Sequence, residues 1–421
     1  MFELFLKRRF LPLFITQFFG AFNDNFLKSA ILILVTYKSG FSTSSATMYT
    51  NLAMALFILP YFLFSALAGQ CSDRFNKAPC CRIVKLVEIV LMTLAAVALA
   101  GRHLPSLLIL LFLMGAQSTF FGPAKYSLLP QQLKDRELIA GNALIEGGTF
   151  LAILFGTIFG SILIAFDGGE YYSGAALVLF AVVGYLGSRS IPSAPPPAPE
   201  LKISFNLFTE TIDILRSCRR VRLVRHCILA LSAFWMAGSL YISQLPGLCR
   251  DVLGADNYVN TFFLALFSIG IAAGALLASL ILRGRISGRL AAAAMLGMGL
   301  FSLDIFFCGR LPADGGGLRT FVDFLAEPRF WRVSFDLLAI SAFGGLFSVP
   351  LQALMQHAAP PDQVARVIAG NNIVNALYMA GGAVAVAAAA KIFDVGVATI
   401  FLWIAVICFL NAAYCVGKFK N

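Results

Sequence analysis

Asn23, Asp24 and Asn25 follow one another inside an otherwise apolar stretch, QFFGAFNDNFLKSAILIL at residues 17–34, and Lys28 comes one helical turn after Asp24. A carboxylate and an ammonium four residues apart share one face of a helix. There they can hold a charged solute, carry a proton, or simply pair with each other. Within hydrocarbon an ionisable side chain costs roughly 2.5–3.5 kcal/mol on insertion scales unless it is paired, hydrated or in use. Three successive polar residues sweep about 200° of a helix, so they cannot all face lipid. The expected arrangement turns Asp24 into a central cavity, with Gly20 on the preceding turn allowing a neighbouring helix to approach closely.

Other ionisable residues are sparse. Lys125 follows Pro123 in FFGPAKYSLLP, and a proline removes one intrahelical hydrogen bond; Lys125 then offers a positive point to a phosphate or to an aspartate, and Tyr126 a hydroxyl. The plainer reading makes Lys125 one more inside-positive anchor. Glu146, with Gly147 and Gly148 beside it, is placed to line an inner vestibule or to carry a proton. Glu88 with Lys85 reads as structural support near the cytoplasmic surface, where long side chains reach water easily. Asp304 reads as interfacial, and Asp336 as part of an outer gate. Phe18, Phe19, Phe22 and Phe26 around Asp24, and Phe120 and Phe121 beside the proline, suit an amphiphile with a charged head better than a sugar.

The elements that must position these residues are membrane helices. The chain is 59% hydrophobic and 13% charged, against about 25% charged in soluble domains. Residues 39–72, 103–124, 147–166, 171–188, 257–282, 337–361, 367–390 and 395–417 contain no Asp, Glu, Lys or Arg. Each run supplies enough helix to cross a bilayer core of about 30 Å. With the charged and Pro/Gly-rich breaks as boundaries, twelve spans are expected near 11–35, 47–68, 80–101, 105–128, 138–165, 171–187, 221–245, 257–282, 289–308, 333–357, 365–390 and 394–416. The runs are too long for barrel strands. The first span is read as retained, since no small-residue cleavage site follows it.

If the amino terminus is inside, 23 of the Lys and Arg residues fall on the cytoplasmic side and eight outside, leaving Lys28 within the first span. That split places both termini in the cytoplasm. The net charge of +11 is therefore an inner-face charge suited to anionic headgroups. No nucleic-acid-binding module is visible. The nine cysteines form no C-x-x-C, and His103, His226 and His357 are far apart in sequence. Neither a metal, a cofactor nor an enzymatic constellation is expected.

The chain divides into an amino-terminal six-helix bundle (1–187), a cytoplasmic linker with an amphipathic segment (188–220) and a carboxy-terminal six-helix bundle (221–421). Residues 188–204, SRSIPSAPPPAPELKIS, are proline-rich and extended. After them Phe208, Ile212 and Leu215 recur at helical spacing before a run of arginines, the pattern of a helix lying on a membrane surface. The halves share a phrase: FGPAKYSLLPQQLKDRELIAGN at 121–142 and FSVPLQALMQHAAPPDQVARVIAGN at 347–371 both end in IAGN. A repeat spaced by six helices predicts two pseudo-symmetric bundles related by an axis along the membrane normal, as in major-facilitator transporters.

GQCSDRFNK at 69–77 resembles the loop between the second and third helices of major facilitators, with the later basic pair reduced to Lys77. Asp73 and Arg74 are read from it as a gate, the carboxylate set against helix termini. LRGRISGR at 282–289 lacks the acid and reads as topology.

QFFGAFNDNFLKSA at 17–30, GPAKYSLLP at 122–130, AGNALIEGGT at 140–149 and GGLFSVPLQALMQ at 344–356 together resemble the bacterial lysophospholipid transporters of the major facilitator superfamily, over essentially the whole chain. The chain is also similar to the transporter domain fused in some bacteria to a glycerophospholipid acyltransferase and acyl-carrier-protein synthetase. The resemblance implies a monomeric inner-membrane flippase carrying lysophosphatidylethanolamine and lysophosphatidylglycerol from the outer to the inner leaflet, where a partner acyltransferase restores the missing chain. By that likeness Asp24 and Lys125 meet the headgroup, and Asn142 and Glu146 match the start of the fifth span; the reading of the residues themselves adds Asn25, Lys28 and Tyr126 to the candidate set. Free-standing members carry an arginine in the seventh span, whereas FWMAGSLYISQLPG at 234–247 has no basic residue. Either Lys28 takes its place or headgroup preference differs. The alternatives are an exporter of drugs or siderophores and a non-transporting scaffold for an acyltransferase.

Overall fold

The computed structural model describes residues 1–38, 42–308, 319–393 and 395–419. Arg310 and Lys420, both counted in the charge split, lie outside the described residues. Among the described residues fourteen α-helices follow in order: α1 Leu11–Ile33, α2 Thr43–Arg74, α3 Lys77–Ala100, α4 Leu104–Gln132, α5 Asp135–Ala165, α6 Gly169–Arg189, α7 Leu207–Arg220, α8 Arg222–Gly247, α9 Asn257–Leu282, α10 Arg289–Cys308, α11 Phe321–Leu325, α12 Pro328–Ala358, α13 Val364–Phe393 and α14 Val397–Lys418. All but α7 and α11 are long and apolar enough to span a membrane, so the twelve expected spans are present. The protein is a multi-pass membrane protein, and no β-strand occurs among the described residues.

Local chemistry sets the boundaries. Ser42, Asn76, Asn206 and Asp256 each accept a backbone N–H at the start of α2, α3, α7 and α9, satisfying donors that a helix leaves unpaired. α2 runs past the expected 47–68 at both ends, because Ser42 caps it early and Asp73 and Arg74 are carried in its last turn. Prolines at 60, 123, 130, 246 and 350 lie inside helices. The first helix of each half ends in a π-helical turn, at Leu34–Lys38 and Leu248–Val252.

Packing defines two units. One comprises Met1–Gly141, Leu151–Val224 and Gln356–Ile373; the other comprises Asn142–Phe150, Arg225–Met355 and Val374–Asn421. The first unit thus takes in a segment from the second half of the chain and the second unit one from the first half, and both segments adjoin or contain the IAGN repeats.

In the first unit α1 lies against α6 and α4, α2 against α4, and α3 against α6 and α4. Gly156 and Gly160 let α5 meet α1 at backbone distance: a Cβ on either would strike the carbonyl oxygen of Phe22 or Phe26. Such small-residue faces bring membrane helices together where burial in lipid gives no hydrophobic gain. In the second unit α10 packs along α14, and buried polar pairs such as Tyr241–Ser302 and Ser232–Asn375 link its helices.

Candidate functional site

α1 presents Asn23, Asp24 and Asn25 on three different sides, and each finds its own surroundings. Asp24 is turned to α4, where the Ser118 hydroxyl lies 2.9 and 2.7 Å from its two carboxylate oxygens and donates to them. The Tyr61 side chain of α2 lies beside the same two residues. Asn23 is wholly buried and donates to Glu88 Oε1 of α3 and to the Leu177 carbonyl of α6, both at 3.2 Å. Asn25 donates back to the Ala21 carbonyl at 2.8 Å. Its side-chain oxygen accepts from Lys28 Nζ at 2.7 Å.

No ion pair joins Asp24 to Lys28 among the described residues. The ammonium is held instead by Asn25 and sits 5.5 Å from the centre of the Phe57 ring. The reading of Asp24 and Lys28 as a pair that merely braces α1 therefore gives way: one charge faces α4 and the other α2. Asp24 keeps 8% of its surface exposed and Lys28 is half-buried.

Directly behind them is a second pair of charges. Glu88 is 0% and Lys85 1% exposed, and Lys85 Nζ donates to Glu88 Oε2 at 2.5 Å. Gln117 Nε2 adds a bond to the same carboxylate oxygen at 3.1 Å. The Lys85 ammonium also stands 4.9 Å from the centre of the Phe121 ring. It fills the place that Gly20 leaves open on α1, since a Cβ there would fall on the ammonium. The expectation of a snorkelling pair at the cytoplasmic surface is corrected: these side chains turn inward and are fully enclosed. An unpaired charge at that depth would be severely penalised, and the pair together with Asn23 and Gln117 offsets that penalty. A row of polar groups Lys85–Glu88–Gln117–Ser118–Asp24 results, each within hydrogen-bond distance of the next, with the one Ser118 proton serving either the Asp24 carboxylate or Gln117 Oε1. Sequence reasoning missed Gln117 and Ser118, although they are adjacent polar residues inside the charge-free run 103–124.

Lys125 and Tyr126 follow Ser118 by seven and eight residues, which puts Lys125 on the same side of α4 roughly 10 Å along the helix. The Lys125 ammonium lies 4.6 Å from the centre of the Tyr126 ring. Glu146 belongs to the second unit, where its carboxylate accepts from the Ser348 hydroxyl of α12. The aromatic reading also needs correction. Phe22 and Phe26 are core residues of the first unit, not a lining; Phe19 stacks on Phe180 of α6 at 5.5 Å and Phe22 meets the same ring at a tilt, 4.7 Å away. Successive side chains 100° apart send them away from Asp24.

Asp73 is fully buried at the end of α2. Its carboxylate accepts the backbone N–H groups of Ala365 and Arg366, each at 3.1 Å, and the Arg366 Nε at 3.0 Å. It thereby caps the first turn of α13, and a negative charge there complements the helix dipole. Arg74 takes no part in this clasp; its guanidinium lies over the Phe75 ring at 5.5 Å. Asp336, 2% exposed, faces Asp304 of α10, and Arg332 engages both oxygens of Asp304. One ligand atom each from Asp304, Cys308 and Asp336 lies within 4.8 Å of the others, with the Arg332 guanidinium already providing the local positive charge.

Twelve spans, two compact units and a charged polar core define a transporter architecture. A family model described as Major Facilitator Superfamily matches residues 13–383. The chain belongs to the Major Facilitator Superfamily. This major facilitator is 28% identical over 359 residues to a Cronobacter sakazakii protein named lysophospholipid transporter LplT, with 83% of this chain and 81% of that one covered. The resemblance carried by the four motifs thus has its counterpart in sequence relatives. In fold the major facilitator is similar to the human organic anion transporter MFSD10, at a TM-score of 0.74 and 15% identity over 97% of this chain and 99% of that one. It is also similar to the transporter FucP in its outward conformation, at a TM-score of 0.73 and 13% identity over 98% and 99%. Identities this low show the fold alone.

Proposed function

We propose that this major facilitator carries lysophospholipids, lysophosphatidylethanolamine and lysophosphatidylglycerol, from the outer to the inner leaflet of a bacterial inner membrane. The observation that carries the reading is the separation of Asp24 from Lys28: two opposite charges on one helix, each held by a neutral polar partner instead of by the other. The phosphate meets Lys28, with Lys125 further along α4, and the ethanolamine meets Asp24. Met54, Ile58 and Phe62, all exposed on α2, flank Phe57 and Tyr61, so the acyl chain can stay in the bilayer while only the head enters. The similarity to proteins named for lysophospholipid transport supports the substrate class.

Transport alternates exposure of the Asp24 site between the two sides of the membrane, with release of the Asp73–Arg366 clasp as one gating step and Asp336 at an outer gate. The excess of basic residues in the loops assigned to the inside supports cytoplasmic termini. The delivered lipid is then reacylated by an acyltransferase, and the transporter works as a monomer. The test is flipping of spin-labelled lysophosphatidylethanolamine in proteoliposomes. Asp24→Asn lowers the rate at least about tenfold, the loss expected when a charged headgroup contact worth 1.5–3 kcal/mol goes. Unchanged flipping by an equal amount of folded variant overturns the assignment.

A further inference from the structure

Four ionisable side chains gather where α1 meets α2, α3 and α4, two acids and two bases: Asp24 and Glu88 with Lys28 and Lys85. Lys85 and Glu88 satisfy one another in full burial, and Asn23 and Gln117 complete the Glu88 shell. They are not available to a ligand. What remains is one carboxylate and one ammonium on successive turns of α1, about 6 Å apart along the axis. Each is oriented by a partner that carries no charge, Ser118 for Asp24 and Asn25 for Lys28.

We infer that the site is matched to a zwitterionic headgroup, a phosphate joined by a two-carbon arm to a primary ammonium, and disfavours a headgroup of net negative charge. The inference rests on the proposed lysophospholipid transport and narrows its substrate. A phosphate–ammonium head gives each of these two side chains a partner of opposite sign and leaves the group neutral as a whole. A phosphoglycerol head pairs Lys28 but leaves Asp24 facing hydroxyls, and it brings one negative charge into a site that already balances. Sites built around a charged hydrogen bond reject ligands that lack the matching group more strongly than apolar sites reject a misfit, because the protein's own buried group is then left unpaired. Lys125 stands two helical turns from Ser118 along α4, with its ammonium 4.6 Å from the centre of the Tyr126 ring.

The experiment measures flipping of lysophosphatidylethanolamine and lysophosphatidylglycerol with the same acyl chain, separately and in competition, in proteoliposomes of the full chain. The expected result is a preference of about tenfold for the ethanolamine lipid in the rate at low substrate. In Asp24→Asn that preference falls below about twofold, because the ethanolamine rate drops while the glycerol rate holds or rises. In Lys28→Met both rates fall. Equal wild-type rates, a faster glycerol lipid, or a preference that survives Asp24→Asn in folded protein overturns the inference and leaves lysophospholipid transport standing. Flipping of neither lipid by correctly folded protein removes the transport reading itself, and the selectivity with it.

Discussion

Asp73 and Arg366 lie at opposite ends of the sequence and yet are joined at 3.0 Å, the Arg366 Nε donating to a carboxylate that also receives the Ala365 and Arg366 backbone N–H groups. One buried side chain thus fastens the end of α2 to the start of α13. Gly69 lets the two backbones come this close, for a Cβ there would overlap Ala369. Replacing the carboxylate by an amide removes the charge from three bonds. Asp73→Asn is expected to weaken the clasp by about 1.5–3 kcal/mol, the range for hydrogen bonds to charged groups. Hydrogen exchange checks it: the amides of the first turn of α13 should exchange at least about tenfold faster, while those in the middle of α4 stay unchanged.

Lys85 and Glu88 make a test of buried pairing. Removing one member leaves a charge enclosed without its partner, at a cost of about 3–5 kcal/mol. Lys85→Met and Glu88→Gln should therefore each lower the melting temperature of detergent-solubilised protein. The double variant Lys85→Met/Glu88→Gln leaves no unpaired charge and should melt closer to the wild type than either single variant. A double variant that melts lower than both would show that the pair acts through something other than mutual neutralisation.

The α1–α5 contact should tolerate no added side chain. At Gly160 a Cβ meets the backbone of Phe26, and a helix backbone cannot rotate away as a side-chain tip can. Gly160→Ala is expected to destabilise the first unit by about 1–3 kcal/mol through overpacking. Gly238→Ala, where a Cβ meets nothing within 4 Å, serves as the control and should melt like the wild type.

The amphipathic helix α7 carries a thiol that reports on its docking. Cys218 is buried, and burial pushes its pKa from the usual value up to about 12. Since the thiolate is the reactive form, a single-cysteine variant retaining Cys218 should resist maleimide at pH 7.5 until the protein is unfolded. The pH dependence has a definite sign: an unfolded thiol ionises near pH 9, so the stability owed to the neutral form is complete below that value and is lost as pH rises from about 9 toward 12. Fast labelling at pH 7.5 in folded protein would show α7 detached. The opposite face of the helix, with Phe208 and Ile212 exposed beside Arg216 and Arg219, has the composition of a membrane-surface helix.

Which segments cross the membrane was decided by the sequence alone, because the cost of placing charge in hydrocarbon is local: eight charge-free runs and the breaks between them account for the twelve spans that the structure contains. The same rule singled out Asn23–Asp24–Asn25 as a place where polarity needed a reason, and the repeated IAGN marked the segments that the two units take from the opposite half. What satisfies a polar group is not local. The partners of Asp24 and Asn23 lie 94 and 65 residues away, and no periodicity records such distances. A lysine three residues before a glutamate looks the same whether it reaches for water or for a neighbouring helix, so only tertiary packing could turn Lys85 and Glu88 inward. For the same reason the phenylalanines beside Asp24 were legible as apolar but not as core. Hydropathy fixes that a side chain avoids water, and only the placement of α6 beside α1 decides which other side chain it meets.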